Sequence, residues 1–177
     1  MKTRTQIILQ VSRFLAVLGA IGYSIICGGQ LTTLISSFIN PEWAKRTYEV
    51  DLTLLSIRDH SIWYYGFGMG MTIVVSALKG TIWYAVFNLL SKLKLHTPFT
   101  MEVEIKLEKI AFLLLAVWLV SSFFWKIYIY YLAQDTGIKL PTNNMGDEYL
   151  FMAGMMYIIS QIFKRGIEIQ EENQLTV

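Results

Sequence analysis

Apolar residues fall in four long stretches separated by short polar connections, and that spacing sets the architecture before any motif is considered. A helix that crosses the hydrocarbon core of a bilayer needs about 20 mainly apolar residues. The stretches run from about Phe14 to Ile39, Ile62 to Leu90, Ile110 to Leu132 and Tyr149 to Phe163. Asn40-Pro41 ends the first, because proline lacks a backbone N–H and clashes with the turn before it. The fourth is short and relies on Asp147, Glu148, Lys164 and Arg165 to hold its ends at the interfaces. A buried core helix is the alternative reading of that run. The pattern therefore predicts an all-α, four-helix transmembrane bundle, one domain over residues 1–177, with a tail over 164–177.

Basic residues orient the spans. Lys2, Arg4, Arg13, Lys92, Lys94, Lys106, Lys109, Lys164 and Arg165 fall on one side, against Lys45, Arg46, Arg58 and Lys139 on the other. Both termini and the middle connection are thus expected to be cytoplasmic. The first outer connection contains Tyr48-Glu49-Val50-Asp51-Leu52-Thr53-Leu54, a strict apolar/polar alternation that predicts a short strand or hairpin with one covered face. A ligand-covering loop is the sharper reading of the same segment.

Composition agrees with the spans. The chain is 54% apolar and 16% charged, and soluble domains carry nearer a quarter charge. A net charge of +2 leaves no electrostatic footprint for direct nucleic-acid binding. The single cysteine, Cys27, excludes an intramolecular disulfide and reads as a packed helix residue. No cleavage signal follows the first apolar run, so that run is expected to be retained.

Two charges fall inside predicted spans: Lys126, among Trp125, Tyr128, Tyr130 and Tyr131, reads as an interfacial anchor at the outer end of the third, and Lys79 is the one that reads as buried. An intramembrane lysine marks an ion or proton pathway unless its long side chain snorkels to the headgroups. Trp63, Tyr64 and Tyr65 predict one aromatic belt, and Trp83 with Tyr84, about one bilayer further along the helix, the other. Lys79 then lies about a turn inside the second belt, close enough to snorkel. Ala16, Ala20 and Ser24, and Gly66 with Gly70, are small residues at helix-packing spacing. They predict close packing within the bundle, with a homodimer face as the alternative. Phe87, Leu89, Leu90, Leu93 and Leu95 extend the second span and call for a cover from the tail, the membrane surface or a partner.

Catalytic and metal signatures are missing from the sequence. His60 and His96 are expected on opposite sides of the membrane and have no Cys/His neighbours at zinc spacing. No P-loop, zinc-protease or nucleophile-elbow pattern occurs. No cofactor and no enzymatic activity are expected.

Two water-facing segments are more patterned than spacers. Thr97-Pro98-Phe99-Thr100 reads as a turn into a helix, with proline excluding helix before it and Thr100 as N-cap. Glu102 and Glu104 then favour the positive end of the helix dipole. Phe99 is the one large apolar residue in this polar connection, and it is expected to dock between the inner ends of spans two and three. At the other segment, Gly166 reads as a helix C-cap. Beyond it Ile167-Glu168-Ile169-Gln170-Glu171-Glu172 suits an extended arm, its isoleucines, Leu175 and Val177 covered by the end of span two and the Pro98-Phe99 turn.

Four spans, the Thr97–Thr100 turn and the terminal run resemble the bacterial membrane family of domain of unknown function 2975. Pro98, Phe99 and Thr100 match its P-F-T turn. Gly166, Gln170, Glu171, Glu172, Asn173, Leu175, Thr176 and Val177 match its terminal stretch, while Gln174 stands where the family usually has Asp. The resemblance implies a bacterial inner-membrane protein of unassigned biochemistry. It also implies a frequent gene neighbour encoding a small helix-turn-helix regulator, and hence a membrane partner for a transcription factor. The expected function is an interaction protein binding that regulator at the cytoplasmic face. A small transporter or immunity-type protein acting on a peptide or lipid, through Lys79 and the outer loop, is the alternative.

Overall fold

The computed structural model describes residues 4–40, 52–93, 99–140 and 146–175. Every regular element among these residues is a helix, with no strand among them. Helix α1 spans Arg4–Ile39, the short α2 Leu52–His60, α3 Ile62–Lys92, α4 Met101–Trp118, α5 Trp125–Thr136 and α6 Asp147–Leu175. A six-residue π-helical stretch, Leu119–Phe124, joins α4 to α5 without a break, so Met101–Thr136 is one 36-residue rod. Gly137 ends it in the left-handed region (φ 73°), where an L side chain is strained.

Three helices, Arg4–Ile39, Ile62–Lys92 and Met101–Thr136, are long and apolar enough to cross a membrane. At 1.5 Å per residue the two 36-residue helices reach about 54 Å, well beyond a hydrocarbon core of about 30 Å. Helix α6 has 29 residues, but its apolar part is confined to the stretch from Tyr149 to Phe163. Its start explains the short run. Gly146 packs on the hydroxyls of Ser121 and Ser122 in the π-helical stretch, so α6 begins beside the middle of the long rod, not beside its end.

The helices pack in the order α1, α3, α4, α6, each chiefly against the next. Small residues allow the first contact: Ala16 is fully buried, Gly19 lies under the Trp83 indole, and Gly80 packs on Tyr23. Gly66 and Gly70 do not join it; a Cβ at either would meet nothing within 4 Å. One core cluster, at the α2 end, gathers Ile57, Tyr65, Met69, Tyr128 and Leu132. The other joins Ala85, Leu89, Val103, Leu107 and Ala153, with Leu93 and Phe163 against it. Leu89 and Leu93 are therefore covered, among the described residues, by α4 and α6.

The predicted strand is not seen. Leu52, Thr53 and Leu54 belong to α2, and residues 48–51 lie outside the described residues. Leu54-Leu55 breaks the alternation, and burial of Ile57 against α3 and α5 favours the helix over the local pattern.

Candidate functional site

The starts of α1 and α4 and the ends of α3 and α6 gather at one end of the molecule. Arg13 Nε donates to the Leu90 carbonyl at 2.8 Å, tying α1 to the last turns of α3. Glu102 pairs with Lys92 at 3.6 Å and with Lys106 at 3.4 Å, linking α3 to the first turn of α4. These pairs are largely exposed, so they position the ends more than they stabilise them.

Both patterned segments meet here. Thr100 occupies the N-cap position in extended conformation, and its carbonyl accepts from the amides of Val103 and Glu104. Its hydroxyl makes no capping bond. Phe99, just before it, is 40% exposed, and its ring stacks on Phe163 with centroids 5.1 Å apart at 54°. The same ring lies over Gly166, where a Cβ would come within 2.7 Å of Phe99 Cδ1. Phe99 therefore docks on α6, not between spans two and three as the turn alone suggested.

Gly166 is not a C-cap. Helix α6 runs through it to Leu175, and the expected extended arm is helical. The glycine meets a close approach by an aromatic ring instead of a change in backbone direction. Beyond it the residues are good helix formers, and Arg165 donates to Glu168 at 2.8 Å across one turn. That carboxylate pushes the Arg165 guanidinium above its already high value. Ile167 is half-buried and Ile169 is 46% exposed, so the apolar edge of the arm is only partly covered. Glu171 and Glu172 are exposed. Leu175 closes the helix; Pro98, Thr176 and Val177, and the side chain of Leu175, lie outside the described residues.

Lys79 is apart from this junction. Its half-buried ammonium sits 5.9 Å from the ring centroid of Tyr23 and 5.1 Å from that of Tyr149, a cation–π arrangement joining α3 to α1 and α6. No carboxylate lies in ion-pair reach of it among the described residues. Phe163, Tyr23 and Tyr149 are neighbours of the candidate residues that sequence reasoning missed. The i, i+3 spacing of Phe163 and Gly166 is the one signal that could have linked Phe163 to the terminal motif.

Three helices long and apolar enough to cross a membrane, in a fold whose elements are all helical among the described residues, point to a membrane protein. The chain belongs to the family described as protein of unknown function (DUF2975), whose model matches residues 35–177, a stretch containing both motifs. No curated protein and no solved structure matches it.

Proposed function

We propose that the chain is a membrane interaction protein that binds or sequesters a small helix-turn-helix regulator at the cytoplasmic face of a bacterial inner membrane. In this reading α6 is the fourth span, and both termini face the cytoplasm. The observation that carries it is the buttressed presentation of the end of α6. Phe99, seated on Phe163 and Gly166, holds a helix whose outer surface displays Glu171 and Glu172 beside the half-exposed Ile169. A rigid acidic helix with a partly uncovered apolar edge suits a basic, DNA-binding surface. The carboxylates stand where phosphates would lie, and the apolar edge adds contact area. A preformed helix also binds without the ordering cost of a disordered arm.

The test is retention, by tagged, detergent-solubilised protein, of the helix-turn-helix regulator that the family resemblance implies as a gene neighbour. Full-length protein retains it; protein ending at Arg165, and the full-length E171K/E172K variant, do not. Equal recovery with all three sinks the proposal.

The Lys79 geometry favours one second reading, a small transporter or immunity-type protein acting on a peptide or lipid. Its support is an intramembrane-type cation held between two tyrosine rings. Unchanged expression and phenotype in the Lys79→Met variant removes that support.

A further inference from the structure

At the end opposite the Phe99 junction, a groove of about 910 Å³ opens between the end of α1, the first turns of α3 and α5. We propose that this groove holds an acyl chain of a bilayer phospholipid. Three observations select that occupant.

The first is the wall. Phe38, Trp63, Phe67, Met71 and Phe124 are among the residues lining it, and among the described residues no charged side chain does. Of its three tyrosines, two have hydroxyls that are already engaged. Tyr64 donates to Asp135, and Tyr128 donates to the Tyr64 carbonyl at 3.0 Å. A peptide would carry amides that find no partner in such a slot, at a cost of kilocalories each, whereas hydrocarbon carries none.

The second is direction. The groove follows α3 from Ile62 to Met71, about 13 Å at 1.5 Å per residue, and follows the rod from Tyr131 back to Phe124. Both are helices long and apolar enough to cross a membrane, so a slot running along them lies along the acyl chains of a bilayer that they span. The polar Tyr64–Asp135 pair marks its headgroup end. Trp63, 86% exposed, stands on the lip there.

The third is shape. A second copy of the chain would need a close-fitting small-residue face. On α3 such a face would pair Gly66 with Gly70, but Gly70 does not line the groove, and Trp63, Phe67, Met71 and Phe124, which line it with Gly66, are large. A volume in the range of ligand pockets, roughly 300–1,000 Å³, calls for a flexible filler, not a flat helix surface.

The open space at Gly66 also supplies the test, since Gly66 lines the groove and a Cβ there meets no neighbour within 4 Å. Full-length protein is reconstituted in vesicles of phosphatidylethanolamine and phosphatidylglycerol, re-extracted in detergent and washed. Retained phospholipid is then counted by native mass spectrometry, with light scattering for oligomeric mass. The unsubstituted chain is expected to keep about one phospholipid, and Gly66→Leu to lose it several-fold. Gly154→Leu, on the exposed surface of α6 where a Cβ likewise meets nothing, keeps it. Circular dichroism melting of all three confirms the fold. Equal retention by the two leucine variants overturns the proposal, as does no retention by the unsubstituted chain. A change of oligomeric mass confined to Gly66→Leu would also overturn it, by making the groove a dimer seam.

Discussion

Replacing Gly166 by alanine sets two opposed effects against each other at the junction of the two motifs. Alanine in a helix interior is favoured over glycine by about 1 kcal/mol, and Gly166 lies well inside α6. The added methyl, however, would come within 2.7 Å of the Phe99 ring, which must swing away. Complete burial of a phenylalanine contributes about 1.5–3 kcal/mol. With Phe99 40% exposed, the seat on α6 accounts for about 1–2 kcal/mol of that. The ring pair with Phe163 adds about 0.5–1.5 kcal/mol. Gly166→Ala is therefore expected to destabilise by about 1 kcal/mol, the lost contacts outweighing the propensity gain. In a Phe99→Ala background the obstruction is gone, and the same substitution should stabilise by about 1 kcal/mol. The coupling is then about 2 kcal/mol, read from a double-mutant cycle of equilibrium unfolding in mixed detergent–SDS micelles followed by circular dichroism. Stabilisation by Gly166→Ala of equal size in both backgrounds would show that Phe99 does not rest on α6.

Tyr65 is fully buried, and its hydroxyl has no partner among the described residues. Tyr65→Phe should leave stability unchanged or raise it by about 1 kcal/mol, while Tyr65→Ala should cost about 3–5 kcal/mol in the same unfolding assay. A marked loss with Tyr65→Phe would reveal a hydrogen bond that the packing does not account for. If the ammonium of Lys79 is held by Tyr149, Tyr149→Leu should cost about 0.5–2 kcal/mol more with Lys79 present than in a Lys79→Met background; additive effects would refute the contact. For orientation, in a Cys27→Ser chain a cysteine at Thr47 is expected to react with an impermeant maleimide on intact cells, and one at Lys94 to stay unlabelled. The reverse pattern would invert the topology and move the acidic end of α6 to the other side of the membrane.

Several features of this fold were legible in the sequence because they depend on local chemistry. The spans Phe14 to Ile39, Ile62 to Leu90 and Ile110 to Leu132 fall within helices α1 and α3 and the Met101–Thr136 rod, since long apolar runs have one stable form in hydrocarbon. The start of α4 at Thr100 was legible too, because proline and a β-branched N-cap act within a few residues. Even the meeting of the two patterned segments was foreseeable, though not its manner. What the sequence could not disclose were choices made between elements. Alternation over Tyr48–Leu54 looked like a strand, but burying Ile57 against α3 and α5 makes Leu52–His60 a helix. Gly166 looked like a terminator because local rules offer glycine chiefly that role; only the arrival of the Phe99 ring, from a residue far away in the chain, turns it into a seat inside a continuous helix. Likewise Lys79 acquires Tyr23 and Tyr149 only when α1, α3 and α6 are brought together. Local propensities differ by about 1 kcal/mol or less per residue, whereas burial of one large side chain contributes about 1.5–3 kcal/mol, so tertiary contact decides wherever the two disagree.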